Sequence, residues 1–127
     1  MSCNLTDAEW KLMHRLWDSA PQTITQLTAA LREETRWEKH TVITMLSRLE
    51  AKGAVRHEEG ARAKKFYPTV KQGDAARAET ESFLGKVYGG SLGLMMSAMA
   101  ERQELSPSDI QELEEILRRA KEGKHRD

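Results

Sequence analysis

Apolar positions near the start of the chain recur in three runs, each with helical spacing. Trp10, Met13, Leu16 and Trp17 return at steps of three and four, which predicts a first helix with one buried face. Thr6 is placed to cap it, Glu9 completes a capping box, and Leu5 with Trp10 forms the pair of a hydrophobic staple. Pro21 lies past the end of that pattern and stops it. Thr23 and Gln26 repeat the capping signature, and Ile24, Leu27 and Leu31 mark a shorter second helix. The polar string 32–36 (REETR) then reads as a connection, and Trp37 opens the third helix.

In that third helix, advancing about 100° per residue from Val42 gathers Met45, Leu46 and Leu49 into one stripe. Gly53 is suited to the left-handed position that ends it. The opposite side carries His40, Ile43, Thr44, Ser47, Arg48 and Ala51. Solvated helix faces favour Glu, Lys and Gln, so this mixture asks for another partner.

The period then changes. Residues 54–57 (AVRH) and 65–68 (KFYP) read as short strands, with a turn around Gly60 between them. Three helices followed by a hairpin make a winged helix-turn-helix pattern in a mainly α fold.

The second half shows helices without strands. One runs over 74–88 and ends in Phe83, Leu84, Val87 and Tyr88, and Gly89-Gly90 breaks it. Leu92, Met95, Met96 and Met99 repeat on the next. Ser106 as cap, Pro107 at the first position, Asp109 at the third and Leu105 stapled to Ile110 start the last, whose stripe continues through Leu113, Ile116 and Leu117. The polar tail 121–127 is expected to fray. These helices have apolar stripes but little chain to cover them, and so short a segment rarely builds a core alone. It either folds back on the first half or packs on a second copy. The second copy is preferred, because the first half has its own helices and hairpin to form a core. The expected division is a winged helix-turn-helix domain over 1–72 and a helical dimerisation domain over 73–127, with the apolar stripe positions from Phe83 to Leu117 as the dimer interface.

Composition changes this picture little. The 127 residues carry 20 basic and 20 acidic side chains, so the whole chain is neutral. Between Lys39 and Lys65, however, seven basic residues face three acidic ones. That stretch reads either as a local anion-binding surface or as ordinary surface charge. The single cysteine, Cys3, excludes an internal disulfide, and His14, His40, His57 and His125 share no ligand spacing. No metal or cofactor is expected. Gly-rich phosphate loops, HExxH and GxSxG are absent from the sequence, so no enzyme is expected either. With no signal peptide and no long apolar run, the expected location is the cytoplasm, without membrane insertion.

The segments LTDAEWKLMHRLW, TVITMLSRLEAKGAV and SFLGKVYGGSLGLMM, in this order and spacing, resemble the penicillinase-repressor family of bacterial regulators. The resemblance covers nearly the whole chain. It implies a homodimeric winged-helix repressor that binds a palindromic operator in double-stranded DNA and silences β-lactamase or related resistance genes. It also implies release by cleavage in the dimerisation domain, triggered by a membrane sensor peptidase, and alignment with the family places that site at Ala98-Met99. Thr41 and Thr44 match the family's recognition helix, whereas Glu38, Lys39, His40 and Ile43 depart from it. The copper-responsive branch carries a C-terminal Cys-x-Cys pair that this chain lacks.

The expected DNA-reading residues are Lys39, His40, Thr41, Ile43, Thr44, Ser47 and Arg48 on the recognition helix, with Arg62, Lys64 and Lys65 on the wing. Arg48 has the geometry for guanine O6 and N7, and Ile43 for a thymine methyl. A rival reading is a protein-interaction module in which Ile43 anchors a partner and the basic wing is incidental.

Overall fold

The computed structural model describes residues 4–125, so Cys3 and the last two residues of the polar tail lie outside the described residues. Helix α1 spans Asp7–Asp18, α2 Ile24–Thr35 and α3 Lys39–Lys52. Strands β1, Val55–Glu58, and β2, Lys65–Pro68, follow, and then α4 Gln72–Tyr88, α5 Leu92–Glu101 and α6 Pro107–His125. The chain divides into two compact units, Met1–Thr80 and Glu81–Asp127, with the boundary falling within α4.

The first unit is built as its capping signals direct. Thr6 N–H donates to Glu9 Oε1 at 2.8 Å while Glu9 N–H donates to Thr6 Oγ1 at 3.2 Å, the two halves of a capping box. Thr23 and Gln26 repeat the arrangement on α2. Leu12, Met13 and Leu16 of α1, Leu27 and Leu31 of α2, and Val42, Leu46 and Leu49 of α3 are buried together with Leu5, Ala54, Val55 and Phe66. Trp10, Trp17 and Met45 pack against this core only half-buried. The buried stripe of α1 therefore includes Leu12 and leaves both tryptophans at its margin.

Two expectations from the sequence are corrected here. The string 32–36 is not a connection, because α2 continues through Thr35 and stops only at Arg36, whose backbone is left-handed (φ 59°, ψ 21°). Glu and Arg are good helix formers, and a polar end needs no apolar face to stay helical. Trp37 does not open α3: Glu38 is its N-cap and the helix starts at Lys39. Gly53 ends α3 in the left-handed region (φ 83°), and Ala54 N–H reaches back to the Leu49 carbonyl at 2.9 Å.

The hairpin pairs antiparallel, Val55 opposite Pro68 and His57 opposite Phe66. Its first strand is shifted one residue from the expected 54–57, because Ala54 is held in the turn by Thr69 N–H at 2.9 Å. In the wing loop, a side chain on Gly60 would collide with the Ala63 carbonyl oxygen. Gln22 extends the sheet: it exchanges two backbone hydrogen bonds with Phe66, at 2.9 and 3.2 Å. Its side-chain amide donates to the carbonyls of Arg15 and Ser19 at the end of α1. After β2 the chain is tied down by Trp17 Nε1–H donating to the Val70 carbonyl at 2.9 Å.

In the second unit α4 ends at Gly89 and Gly90, both at positive φ. Ser91 caps α5, and Ser106 with Asp109 caps α6 reciprocally. The tail expected to fray is corrected for Lys121 to His125, which continue α6. Arg118 bridges to Glu122 one turn on at 2.6 Å and carries the helix into that segment. No residue of α5 is buried. Among the described residues, no helix is long and apolar enough to cross a membrane.

Candidate nucleic-acid interface

The core stripe of α3 fixes what its other side presents. With Val42, Leu46 and Leu49 buried, the residues about half a turn away point outward: His40, Thr44, Ser47 and Ala51, all exposed. Ile43 flanks this line on one side and is 45% exposed. Thr41, half-buried, and exposed Arg48 flank it on the other. Arg48 lines a shallow cleft between α1 and α3 with Thr6, Glu9, Met45 and Lys52. Thr44 Oγ1–H donates to the His40 carbonyl at 3.0 Å, so its hydroxyl offers lone pairs and a methyl group outward. The Ser47 hydroxyl has no hydrogen bond within the chain among the described residues.

Charge around this face is sorted by the fold. Of the seven basic residues between Lys39 and Lys65, two are paired within the unit. Lys52 Nζ lies 2.5 Å from Glu9 Oε1 and donates to the Asn4 carbonyl at 2.7 Å. Burial pushes the Glu9 carboxyl up, but hydrogen bonds from Lys52 and from the Thr6 N–H outweigh it and hold the group below the usual carboxylate range. Arg56 lies over the Tyr67 ring at 4.1 Å and 3.6 Å from Glu58. The remaining five, Lys39, Arg48, Arg62, Lys64 and Lys65, are exposed and form no ion pair among the described residues. The acids of the stretch are occupied: Glu50 and Glu59 face His57 at 2.6 and 3.8 Å, and Glu58 faces Arg56.

The same contacts fasten the hairpin to the helix. His57 on β1 bonds Glu50 on α3, and its ring packs on Phe66 at 5.7 Å. The wing loop with Arg62 and Lys64, and Lys65 at the start of β2, therefore springs from a root fixed beside the last turns of α3. His14 takes no part in this surface; it sits between Trp10 and Trp17, with ring centroids 5.7 and 5.6 Å away.

Sequence reasoning missed Gln22, which joins α1, the start of α2 and β2 into one frame. Nothing in its neighbours signals that role. It also missed the α2–α3 corner, where Arg32, Arg36 and Lys39 line one groove with Trp37. Helix spacing would have found it had 32–36 been read as helical.

The second unit exposes its apolar stripe. Phe83, Val87, Leu92, Ile110, Ile116 and Leu117 are exposed, and Leu84, Tyr88, Met95, Met96, Met99 and Leu113 are half-buried. Ala98 is half-buried on α5 beside Met99.

Comparison with known proteins gives a consistent result. The family described as penicillinase repressor matches residues 5–119. The penicillinase repressor of Bacillus licheniformis is 31% identical over 120 residues, covering 94% of both chains. The methicillin resistance regulatory protein MecI of Mammaliicoccus sciuri is 25% identical over 113 residues, covering 89% of this chain and 92% of its own. Among solved structures, the monomeric form of B. licheniformis BlaI in complex with the blaP half-operator is similar at a TM-score of 0.50 and 28% identity, over 56% of this chain and 87% of that one.

Proposed function

The chain belongs to the penicillinase repressor family, and we propose that it is a homodimeric, sequence-specific DNA-binding repressor that acts on a palindromic operator. The observation that carries this reading is the outward face of α3, a mixed polar and apolar surface bordered by five cations with no partner of their own among the described residues. The solved complex of the B. licheniformis relative with its half-operator supports it.

In this reading α3 enters the major groove. Thr44, Ser47 and His40 meet base edges, Ile43 packs on a thymine methyl, and Arg48 bonds guanine O6 and N7 or an adjoining phosphate. Lys39 and Thr41 adjoin the backbone at the start of the helix. Arg62, Lys64 and Lys65 on the wing neutralise phosphates, which orients the protein without reading sequence. Residues 1–72 form the DNA-binding part and 73–127 the dimerising part. The exposed stripe from Phe83 to Leu117 is the surface through which two copies join, because so much apolar area in a small helical unit needs a cover. A two-fold dimer sets its two recognition helices about 34 Å, or a multiple of that, apart along the duplex. Derepression follows proteolysis in the dimerisation part by a sensor peptidase, at Ala98-Met99 on α5; a helix with no buried residue opens readily to a protease.

The test is a gel-shift titration on the promoter next to the protein's own gene, at several salt concentrations. Sequence-dependent binding that weakens with salt is expected. Thr44→Ala should change base preference, while Lys64→Ala should weaken binding to all sequences and lower the salt slope by about one unit. Absence of salt-sensitive binding would leave the interaction-module reading, with Ile43 as its anchor.

A further inference from the structure

The corner between α2 and α3 holds a basic cluster apart from the wing. Arg32 lies in the last turn of α2 and Arg36 is its left-handed C-cap, whose N–H donates to the Arg32 carbonyl at 2.9 Å. Lys39 opens α3 just beyond. All three line one groove of about 590 Å³, whose floor includes Ala29, Thr28 and Trp37. None of the three forms an ion pair among the described residues, although acids are near in sequence. Glu34 faces Arg15 at 3.7 Å, and Glu38, the one acid in the groove wall, faces His40 at 3.7 Å. Arg36 keeps its place in a left-handed backbone conformation that glycine or asparagine adopts more cheaply.

We propose that Arg32, Arg36 and Lys39 form a second phosphate grip, which takes the DNA strand on the side of the major groove away from the wing. The inference rests on the DNA-binding reading above and extends it to Arg32 and Arg36. The geometry follows from the length of α3. The wing is rooted at Glu50 through His57, and the corner cluster sits at Lys39, about 16 Å away along the helix axis. The major groove is about 12 Å wide between its phosphate walls. With its axis set across the groove, the helix brings the cations at its two ends to the backbone on both sides. A single cationic end would leave the helix free to tilt; two ends set its angle and so the register of Thr44 and Ser47 over the bases. The ligand is the phosphodiester backbone of duplex DNA, and the corner reads no sequence.

The experiment compares the full-length protein with an Arg32→Gln, Arg36→Asn double variant, where Asn is chosen because it tolerates the left-handed conformation. Binding to the operator and to unrelated duplex is titrated across salt concentrations. The expected result is a salt slope smaller by about two units and affinity lowered by about tenfold or more at 0.1 M salt, with base preference unchanged. In a parallel arm, duplexes with single methylphosphonates along each strand are titrated with the unaltered protein. Neutralising the phosphates on the far side of the groove from the wing should weaken its binding, and the double variant should be indifferent to those positions. The arm with unaltered protein decides the matter even if the variant folds poorly. Absence of salt-dependent binding by the unaltered protein overturns both this inference and the repressor reading. Normal binding by the unaltered protein, with no methylphosphonate effect on that side, overturns the corner grip alone. So does an unchanged slope in a folded double variant.

Discussion

The two units of this chain treat their leucines differently. In the first, Leu12, Leu16, Leu27, Leu31, Leu46 and Leu49 are shut away almost completely, around a frame closed by a hairpin. In the second, Leu92, Leu94 and Leu117 are more than half exposed, and α5 buries nothing. Both are helical and both have well-made caps. What separates them is the third dimension: three helices and a strand pair can surround a centre, whereas the end of α4 with α5 and α6 leaves an open face. Caps and periodicity make helices, but only enclosure makes a core. The first unit encloses its core and leaves five cations exposed, with no ion pair among the described residues. The second pairs charges along α6 and leaves its apolar side chains exposed.

Three variants put that contrast under strain, in descending order of effect on the first unit. Leu46→Ala removes a side chain 1% exposed at the centre of α3 and should cost about 3 kcal/mol in denaturant unfolding, with binding lost through instability. If it unfolds no more easily than the parent protein, the core assignment fails. Lys52→Met should cost about 2 kcal/mol, less than a fully buried pair, since Lys52 is about a third exposed while Glu9 is not. The pH dependence has a definite sign. The folded-state pKa of Glu9 lies below its unfolded value near 4.5, so its stabilising contribution is full above pH 4.5 and is lost as pH falls through the folded value. Melting temperatures measured from pH 7 downward should therefore decline less steeply below pH 4.5 for Lys52→Met than for the parent, and parallel curves would contradict the pairing. Ile116→Glu should change the stability of the first unit by less than about 0.5 kcal/mol, because it lies outside that core. On the dimer reading it should still halve the mass seen by light scattering. A variant that remains at the parent mass would move the interface elsewhere.

Much of this was legible along the chain. The capping boxes at Thr6 and Thr23, the stop at Gly53 and the Ser106-Asp109 start depend on residues three or four apart, so local spacing is enough to find them. The outward face of α3 was legible for the same reason, since a helix with a known buried stripe has a known opposite side. The misreadings arose where local signals are mute. The end of α2 carries no apolar residue and no glycine, so the helix looked finished at Leu31 while it continues to Thr35. The polar end of α6 misled in the same way. Gln22 was invisible because its role depends on Phe66, far along the chain.

The order of the elements, the caps and the two faces of α3 belong to the sequence itself, because each depends on neighbours within one or two helical turns. The charge pattern does not. Seven cations between Lys39 and Lys65 are equivalent on paper. Folding brings Glu9 to Lys52, and Tyr67 with Glu58 to Arg56, and leaves the other five without an ion pair among the described residues. For Lys52 only the tertiary structure makes that selection, since partners 43 residues apart meet through packing and not through spacing.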